Sequence, residues 1–248
     1  TQRPVTVGPS IKMSKSKRNV VDPENIIEQF GADTARWFML SDSPPERDVE
    51  WTTAGAEGAW RFLQRIWRMV DEAADHLGSD ELGEDAHADT LRKVTHRTIE
   101  GVSGDIENFA FNKAIARIYE IANAITKFDA KSDADRAALK EALQTVAQLM
   151  APMTPHLAEE CWTRLGRSTV LAETPWPAVE AHLLKDDEVV LPIQINGKRR
   201  SEISVAVDAN KSDIEAMVLA DPAVEKFLDG AAPKKLIVVP GRIVNVVF

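Results

Sequence analysis

The sequence predicts a multidomain, mainly α-helical protein that ends in a small α/β domain. Three observations support this fold class. Apolar residues between positions 54 and 165 recur at steps of three and four, which is the helical period. From position 189 onward they alternate with other residues, as in strands that bury one face. Pro175 and Pro177 lie between the two regions, and neither proline can continue a helix.

The composition narrows the class of protein further. The chain has 248 residues, 44% of them apolar, which can fill the core of one large domain or of two to three small ones. It contains no apolar run long enough for a membrane helix and no cleavable leader, so we expect a soluble, cytoplasmic protein. The net charge of −9 argues against non-specific coating of nucleic acid but permits local basic surfaces. Because the chain opens at Thr1 without an initiator Met, we expect a piece of a longer protein.

The single cysteine limits the chemistry available to the chain. Cys161 excludes an intramolecular disulfide and any multi-cysteine zinc site, and its apolar helical surroundings predict a buried thiol. His156 lies near Glu159, Glu160 and Cys161, but the order His-Glu-x-x-His of zinc proteases is absent. Thr154 is better explained as a helix N-cap that precedes a proline. We therefore predict no metal site.

The N-terminal part predicts a loop followed by two short helices. An extended-looking segment, residues 3–9, leads into residues 11–19, which we call the cationic loop. No acid occurs in residues 1–21, whose cations are Arg3, Lys12, Lys15, Lys17 and Arg18. Asp22 followed by Pro23 predicts a helix start, and Gly31 predicts its left-handed C-cap. Asp33 is predicted to cap a second helix that runs to Leu40 and is followed by a Pro-Pro break.

The middle of the chain predicts an antiparallel helical bundle with short connections. In its first helix, an apolar stripe at Trp60, Leu63, Trp67, Val70 and Ala74 predicts that both tryptophans lie in the core. The predicted helices cover residues 54–77, 86–106, 111–128, 135–150 and 155–165.

The C-terminal part predicts a β-hairpin followed by helices and further strands. Apolar residues alternate from Val189 to Ile195 and from Ile203 to Val207, and Asn196-Gly197 supplies a hairpin turn between them. The remaining predicted elements are a helix over residues 212–219, a helix opened by Asp221-Pro222 and closed by Gly230, and strands over residues 235–239 and 242–247 bent at Pro240-Gly241.

The cationic loop has the composition of a polyphosphate-binding segment. Its lysines and serines can place ammonium and hydroxyl donors around the charge that develops on a phosphate leaving group. It contains no nucleophile beside a base and no group that titrates near neutral pH, so its role would be electrostatic. A solvated basic turn ahead of a capped helix is the alternative interpretation of this composition.

The order of residues in the loop adds a resemblance to a known family. Lys12-Met13-Ser14-Lys15-Ser16 resembles, letter for letter, the second signature of class I aminoacyl-tRNA synthetases. Phe30-Gly31-Ala32-Asp33-Thr34-Ala35-Arg36 looks like the helix that follows this signature in the leucine, valine and isoleucine branch. Further stretches resemble the leucyl-tRNA synthetase family: residues 49–63, residues 151–156, and the terminal residues 193–198 and 239–248. The isoleucyl enzyme commonly ends in a cysteine-rich zinc element and the valyl enzyme in a coiled coil, and neither pattern occurs here.

The resemblance implies a function and a division of the chain. It implies leucine–tRNA ligase activity, with ATP as substrate, Mg2+ expected, and tRNA(Leu), ATP and leucine as partners of a monomeric enzyme. Residues 1–50 would end the catalytic region, residues 51–183 would form a helical anticodon-binding domain, and residues 184–248 would form an α/β domain that contacts tRNA. Lys15 would be the main catalytic residue with Lys12 assisting, and the ATP-binding residues would be Lys12, Met13, Ser14, Lys15 and Ser16.

The chain departs from the family pattern in lacking other parts of the enzyme. No pair of its histidines has the His-x-Gly-His spacing of the first signature, and the inserted editing domain is absent. We therefore expect the chain by itself to be inactive. A standalone RNA-binding module with a vestigial phosphate loop is the alternative, and another synthetase of the same branch is a third hypothesis. Candidate RNA-binding residues are Arg61, Arg65, Lys198, Arg199, Arg200, Lys234 and Lys235. Arg61, Arg65 and Arg68 would form a basic face on the first bundle helix, with ordinary solvated helix charges as the alternative. For the basic residues after the hairpin turn, protection of a sheet edge is the alternative.

Overall fold

The chain forms two compact units, Thr1–Leu184 and Lys185–Phe248. The computed structural model describes residues 8–9, 11–78, 80–83, 85–185, 188–206, 209–228, 233–239 and 241–247. Residues that the sequence analysis uses and that lie outside them include Thr1, Arg3, Val207, Gly230, Pro240 and Phe248, together with residues 3–7 of the extended-looking segment. Across the described ranges, no helix combines the length and the apolar character needed to cross a membrane.

The described part of the first unit contains seven α-helices. They are α1 (Pro23–Phe30), α2 (Ala32–Ser41), α3 (Thr53–Ala74), α4 (Ala86–Glu107), α5 (Phe111–Lys127), α6 (Asp133–Met150) and α7 (Pro155–Arg164). One hydrophobic core runs through α2 to α7, and its fully buried side chains include Trp37, Ile66, Ile118 and Leu143. The predicted helical bundle is confirmed.

Helix α3 corrects one part of the predicted core. Phe62, Ile66 and Val70 are buried, and this stripe sets the face that packs on the other helices. Trp60 lies off that stripe and is 41% exposed, so its predicted place in the core is wrong. Trp67 packs against the core while remaining partly buried.

The start of α2 also differs from the prediction. The helix begins at Ala32 with Gly31 as its N-cap, so Asp33 lies inside the first turn and is not the cap residue. Gly31 serves as the C-cap of α1 as well, with φ of +87° and ψ of 156°, which differs from the predicted left-handed helical conformation. The carboxylate of Asp33 is thereby free to contact another helix, as described below.

The segment that ends the first unit is held to the bundle and is not a free linker. The indole of Trp176 donates a hydrogen bond to Ser103 Oγ at 2.8 Å, and Gln148 Nε2 donates to the carbonyl of Pro175 at 3.2 Å. Glu180 donates its backbone N–H to His96 Nδ1 at 3.1 Å. These bonds fasten residues 175–180 to α4 and α6.

The second unit is a four-stranded mixed sheet with two described helices. Its elements are β1 (Glu188–Ile195), β2 (Lys198–Ala206), α8 (Lys211–Leu219), α9 (Pro222–Leu228), β3 (Lys235–Val239) and β4 (Ile243–Val247). The strand order is β2-β1-β4-β3, with β1 and β4 parallel and the other two pairs antiparallel. Leu191, Ile193, Val205, Val244 and Val246 form its core with residues from the helices. The predicted small α/β end is confirmed.

The hairpin turn of this unit matches its sequence. Asn196 has φ of +47° and Gly197 has φ of +80°, and two positive φ angles in a two-residue turn are the condition that favours Asn-Gly. The register of β1 and β2 shifts between Ile193 and Gln194, which leaves Arg200 as the extra residue of β2. This irregularity lies next to the basic residues that follow the turn.

Candidate phosphate loop and basic surfaces

The cationic loop is a compact turn. Lys15–Lys17 form a single 3-10 turn, in which the N–H of Lys17 bonds to the carbonyl of Ser14 at 3.1 Å. Arg18 closes the turn with φ of +51°, an uncommon conformation for a residue that carries a Cβ. The hydroxyls of Ser14 and Ser16 are hydrogen-bonded to each other at 2.7 Å.

Asn19 holds the two ends of the loop together. Its Oδ1 accepts the backbone N–H of Ser14 at 2.8 Å, and its Nδ2 donates to the carbonyl of Lys12 at 3.4 Å. The sequence patterns predicted no separate role for Asn19. An asparagine five residues beyond a serine on a tight turn is the signal that was available, because its amide offers both a donor and an acceptor.

The lysines of the loop are available to a ligand. Lys12, Lys15 and Lys17 are exposed, and their ammonium groups form no ion pair with the residues that the structure describes. Met13 is 42% exposed. No acid occurs in the loop to compete for these cations. The turn therefore presents several ammonium groups within a few residues, which suits a multiply charged anion such as a polyphosphate.

The three arginines predicted to form a basic face on α3 differ in their contacts. Arg61 is exposed and its Nη1 lies 3.7 Å from Glu57 Oε2. Arg65 donates to Asn123 Oδ1 at 2.9 Å, to the carbonyl of Ala122 at 3.0 Å and to Thr126 Oγ1 at 2.8 Å, all on α5.

Arg68 is exposed, as Arg61 is, whereas Arg65 is partly buried. Its described bond is a long one, 3.4 Å, to the carbonyl of Gln64 one turn earlier. The geometry thus gives Arg65 a structural role between α3 and α5, while Arg61 and Arg68 keep most of their donors free of interhelical bonds. An RNA contact by Arg65 stays a prediction.

The basic residues of the second unit lie at one end of its sheet. One row of paired residues crosses the four strands in the order Lys198, Ile195, Val246 and Leu236. Lys198 is the first residue of β2. Lys235, the first residue of β3, is one position from this row. At about 4.8 Å per strand, the starts of β2 and β3 are about 14 Å apart across the four strands. We call Lys198, Arg199, Arg200, Lys234 and Lys235 the basic rim.

Two arginines of the basic rim already have partners within the second unit. Arg199 forms an ion pair with Glu202 three residues later. The guanidinium of Arg200 lies 5.1 Å from the centre of the Phe227 ring, a cation–π contact to α9. Lys198, Lys234 and Lys235 are exposed. The three lysines are therefore the members of the rim whose charge is most accessible to an RNA backbone.

One cluster of potential metal ligands occurs within the described ranges, and its hydrogen bonds do not favour an ion. His96, Glu141 and Glu180 place ligand atoms within 4.8 Å of one another. His96 Nδ1 accepts the N–H of Glu180, so in the neutral ring Nε2 carries the proton and donates to Glu141 Oε1 at 3.1 Å. A metal-bound histidine instead donates its other ring N–H to an acceptor.

Arg92 completes this cluster without an ion. It donates to Glu141 Oε2 at 3.0 Å and to Glu180 Oε1 at 2.9 Å. Burial alone would raise the pKa of the Glu141 carboxyl, but hydrogen bonds from His96 and Arg92 outweigh it and hold that pKa below its ordinary value. The cluster therefore joins α4, α6 and the segment that ends the first unit as a network of paired charges.

The comparisons with known proteins agree with this arrangement of loop, bundle and sheet. The family model for the anticodon-binding domain of tRNA ligase matches residues 89–216. The model for class I tRNA synthetases (I, L, M and V) matches residues 5–52, which include the cationic loop and α1 and α2. Because the first match covers just over half of the 248 residues, the chain belongs to the tRNA ligases that carry this anticodon-binding domain.

Among these ligases, relatives that match all or nearly all of the chain include leucine–tRNA ligases. The leucine–tRNA ligase of Cereibacter sphaeroides strain ATCC 17025 is 56% identical over 248 residues, which is 100% of this chain and 28% of the relative. The leucine–tRNA ligase of Paracoccus denitrificans strain Pd 1222 is 61% identical over 98% of this chain and 27% of its own length. The chain thus spans little more than a quarter of these relatives, and the predicted resemblance to the leucyl family is confirmed.

Solved structures give the same result. The ternary complex of Agrobacterium radiobacter K84 agnB2 LeuRS with tRNA and LeuAMS has a TM-score of 0.79 and 31% identity, over 95% of this chain and 30% of that one. Mycobacterium tuberculosis methionyl-tRNA synthetase with methionyl-adenylate has a TM-score of 0.51 and 22% identity, over 60% of this chain and 34% of that one. The second likeness indicates a shared fold alone.

Proposed function

We propose that this chain is part of a leucine–tRNA ligase that joins leucine to tRNA(Leu) in two steps. ATP and leucine first form leucyl-adenylate and pyrophosphate, and the leucyl group then passes to the terminal ribose of the tRNA with release of AMP. The observation that carries the proposal is the cationic loop. It combines the letter-for-letter signature with exposed ammonium groups on a turn closed by Asn19. Identity above one half with leucine–tRNA ligases supports it over the full chain.

In this proposal, the cationic loop stabilises the pyrophosphate as it leaves. Negative charge builds up on the β- and γ-phosphates in the transition state, so ammonium groups held nearby bind that state more tightly than the ground state. Lys15 is the main stabiliser and Lys12 assists it. The hydroxyls of Ser14 and Ser16 are hydrogen-bonded to each other and order the turn around ATP. Met13, between Lys12 and Ser14 in the sequence, completes the ATP-binding segment. The exposed loop can also move as a lid over ATP.

The family implies a Mg2+ ion, and the residues of this loop could hold it only indirectly, by binding the ATP phosphates that coordinate it. Mg2+ prefers carboxylate, phosphate and water oxygens in octahedral geometry. The loop has no carboxylate, and its hard oxygen donors are two hydroxyls and the backbone. Mg2+ would thus be held chiefly by the phosphates, where it would neutralise charge together with the lysines.

The RNA-binding part of the proposal rests on basic residues in both units. Arg61 and Arg68 on α3 and the three lysines of the basic rim contact phosphates of the tRNA in this scheme. Such contacts position the RNA by its backbone and shape. The net charge of −9 on these 248 residues makes the local basic groups important, because the summed charge of the chain repels RNA.

The proposal assigns one role to each of three regions. Residues 1–50 supply the loop to the catalytic region, residues 51–183 form the anticodon-binding bundle, and residues 184–248 contact the tRNA. Because the chain lacks a His-x-Gly-His signature, we expect the purified 248-residue chain to form no leucyl-tRNA. The complete protein is expected to work as a monomer in the cytoplasm, where it charges tRNA for protein synthesis.

The test is the leucine-dependent exchange of pyrophosphate into ATP by the complete protein. Changing Lys15 to Ala should lower the exchange rate by about 10²–10³, the usual cost of one donor at a charge-stabilising site. The KM for leucine should change much less. Lys131→Ala is the matched control, because Lys131 is exposed and pairs with Asp129 far along the chain from the loop. A complete protein that binds tRNA but shows no leucine-dependent exchange would instead be an RNA-binding module.

A further inference from the structure

The N-terminal half of α2 is hydrogen-bonded to the corner between α6 and α7. This corner comprises residues 151–154 and the first turn of α7. Arg36 donates through Nε to the carbonyl of Met153 at 3.0 Å and through Nη2 to the carbonyl of Pro152 at 2.7 Å. Asp33 accepts the N–H of Leu157 at 2.7 Å. These partners lie more than a hundred residues away along the chain.

Asp33 replaces the ordinary cap of α7. Thr154 stands at the N-cap position, as predicted, but its hydroxyl donates to the carbonyl of Met150 and caps no N–H of α7. The other oxygen of Asp33 lies 2.9 Å from Nδ1 of His156. A carboxylate at a helix N-terminus is favoured by both the free N–H groups and the helix dipole.

The two residues of α2 act together because of their spacing. Asp33 and Arg36 are three positions apart, so they project from the same face of the helix. The acid accepts one backbone N–H in the first turn of α7, and the cation donates to two carbonyls that follow α6, so each charge faces backbone groups that attract it. This match specifies the orientation of α2 as well as its contact.

Helix α2 is connected to the cationic loop by a short capped path. Asn19 closes the loop, Asp22 caps α1 by accepting the N–H of Glu24, and Gly31 joins α1 directly to α2. Helix α1 has eight residues and is therefore about 12 Å long. A rotation of α2 on the bundle would move the loop at the far end of this path.

We infer that Asp33 and Arg36 are positioning residues that hold the cationic loop in a fixed place relative to the helical bundle. This inference rests on the proposed function. Helix α2 would then fix the position of ATP bound at the loop relative to RNA bound on the bundle. The hydrophobic docking of α2 is separate, since Trp37 is fully buried and stacks on Phe62 at 5.3 Å. Losing the polar contacts should therefore misplace the loop while the helix remains folded.

The experiment measures leucyl-tRNA formation by the complete protein and two variants, Arg36→Met and Asp33→Asn. Each should lower kcat at least tenfold while the KM for tRNA stays within twofold, because the RNA surface is intact but the loop is displaced. Arg36→Lys should restore part of kcat, since it keeps the charge but loses the forked contact with two carbonyls. Asp33→Asn keeps one acceptor for Leu157, which makes it the milder variant for folding.

The matched control is Arg136→Met. Arg136 pairs with Asp133 at the start of α6 and donates to a backbone carbonyl, but it does not contact α2. Because a pair with the exposed Asp133 contributes little, this variant should leave both the thermal midpoint and kcat close to those of the wild type. Unchanged kcat in the Asp33 and Arg36 variants of an active enzyme would overturn the positioning role alone. A loss of kcat in Arg136→Met as large as that in Arg36→Met would overturn it too. A wild-type protein without leucine-dependent exchange would refute the proposed function instead.

Discussion

Arg61 and Arg65 allow the structural and RNA-binding roles of arginine to be separated on one helix. Arg65 spans from α3 to α5 with three hydrogen bonds of 2.8 to 3.0 Å, whereas Arg61 is exposed and pairs with Glu57. Replacing each with Met keeps most of the aliphatic stem and removes the charge and the donors. We expect Arg65→Met to lower the stability of the helical unit and Arg61→Met to weaken the binding of RNA.

The expected loss for Arg65→Met follows from its bonds. A net value of about 1 kcal/mol for each of three hydrogen bonds gives about 3 kcal/mol. Thr126 Oγ1 also bonds to the carbonyl of Ala122, so these groups keep a partner in the variant. We therefore expect a loss of about 2–3 kcal/mol. For Arg61→Met the expected change is within about 0.5 kcal/mol, because an exposed pair contributes little.

Urea unfolding followed by circular dichroism at 222 nm measures the stability of the helical unit in each variant. The affinity of the 248-residue chain for tRNA(Leu), measured at several salt concentrations, reports the phosphate contacts. For Arg61→Met, the slope of log affinity against log salt should shrink by about 1, as expected for one lost phosphate contact. For Arg65→Met, the slope should not change.

Two results would contradict this assignment. If Arg65→Met were as stable as the wild type, the bonds to α5 would have no net value and the arginine would be available to RNA. If Arg65→Met lowered the salt slope and Arg61→Met did not, the predicted phosphate contact would lie at the wrong residue.

Three further predictions concern buried groups of the first unit. Asp135→Asn should cost about 2–4 kcal/mol at pH 7, because Asp135 is 2% exposed and accepts two backbone N–H bonds. Those bonds outweigh burial and lower its pKa from 3.8, so its contribution is complete above about pH 4 and is lost as pH falls. The free energy of unfolding should fall less between pH 7 and pH 3 in Asp135→Asn than in the exposed control Asp133→Asn. An equal fall in both variants would contradict this prediction. Gly55→Ala should cost about 1–3 kcal/mol in urea unfolding because its Cβ would overlap a ring carbon of Phe38. Gly58→Ala should stabilise α3 slightly, because its Cβ would meet only the flexible Arg61 side chain, at 4.0 Å. Burial raises the pKa of Cys161 to about 12, so iodoacetamide should label it at pH 8 only after urea unfolding, and rapid labelling of the folded chain would refute its burial.

Local signals were sufficient for most of the fold. Helices such as α5 and α6 combine a strong apolar period with a cap or a break at each end, and the Asn-Gly turn sets the hairpin that follows. Trp60 was misplaced because the predicted stripe was drawn through both tryptophans. The observed stripe is centred on Phe62 and Ile66, one step around the helix.

The contacts that position the candidate site could not be predicted from local patterns. Asp33 has the residue type and position of an N-cap, but its partner is Leu157, 124 positions later. Arg65 occurs in a row of arginines that suggests an RNA surface, while its partners lie 57 to 61 positions away. Charge patterns along one helix show where arginines are, but they do not show which backbone groups the fold brings to them.

The distribution of arginines in this acidic chain connects stability with the proposed RNA recognition. Arg36, Arg65, Arg92 and Arg164 each reach a partner at least 49 positions away, and together they join α2 to α6–α7, α3 to α5, α4 to α6 and α7 to α3. A lysine could replace them only in part, because each uses more than one N–H of a planar fork. The exposed candidates for phosphate contact in the loop and the basic rim are mostly lysines, whose flexible point charges suit a mobile polyanion. Apart from Arg61 and Arg68, the residue type thus separates the cations that join the helices of the bundle from the proposed contacts to ATP and RNA.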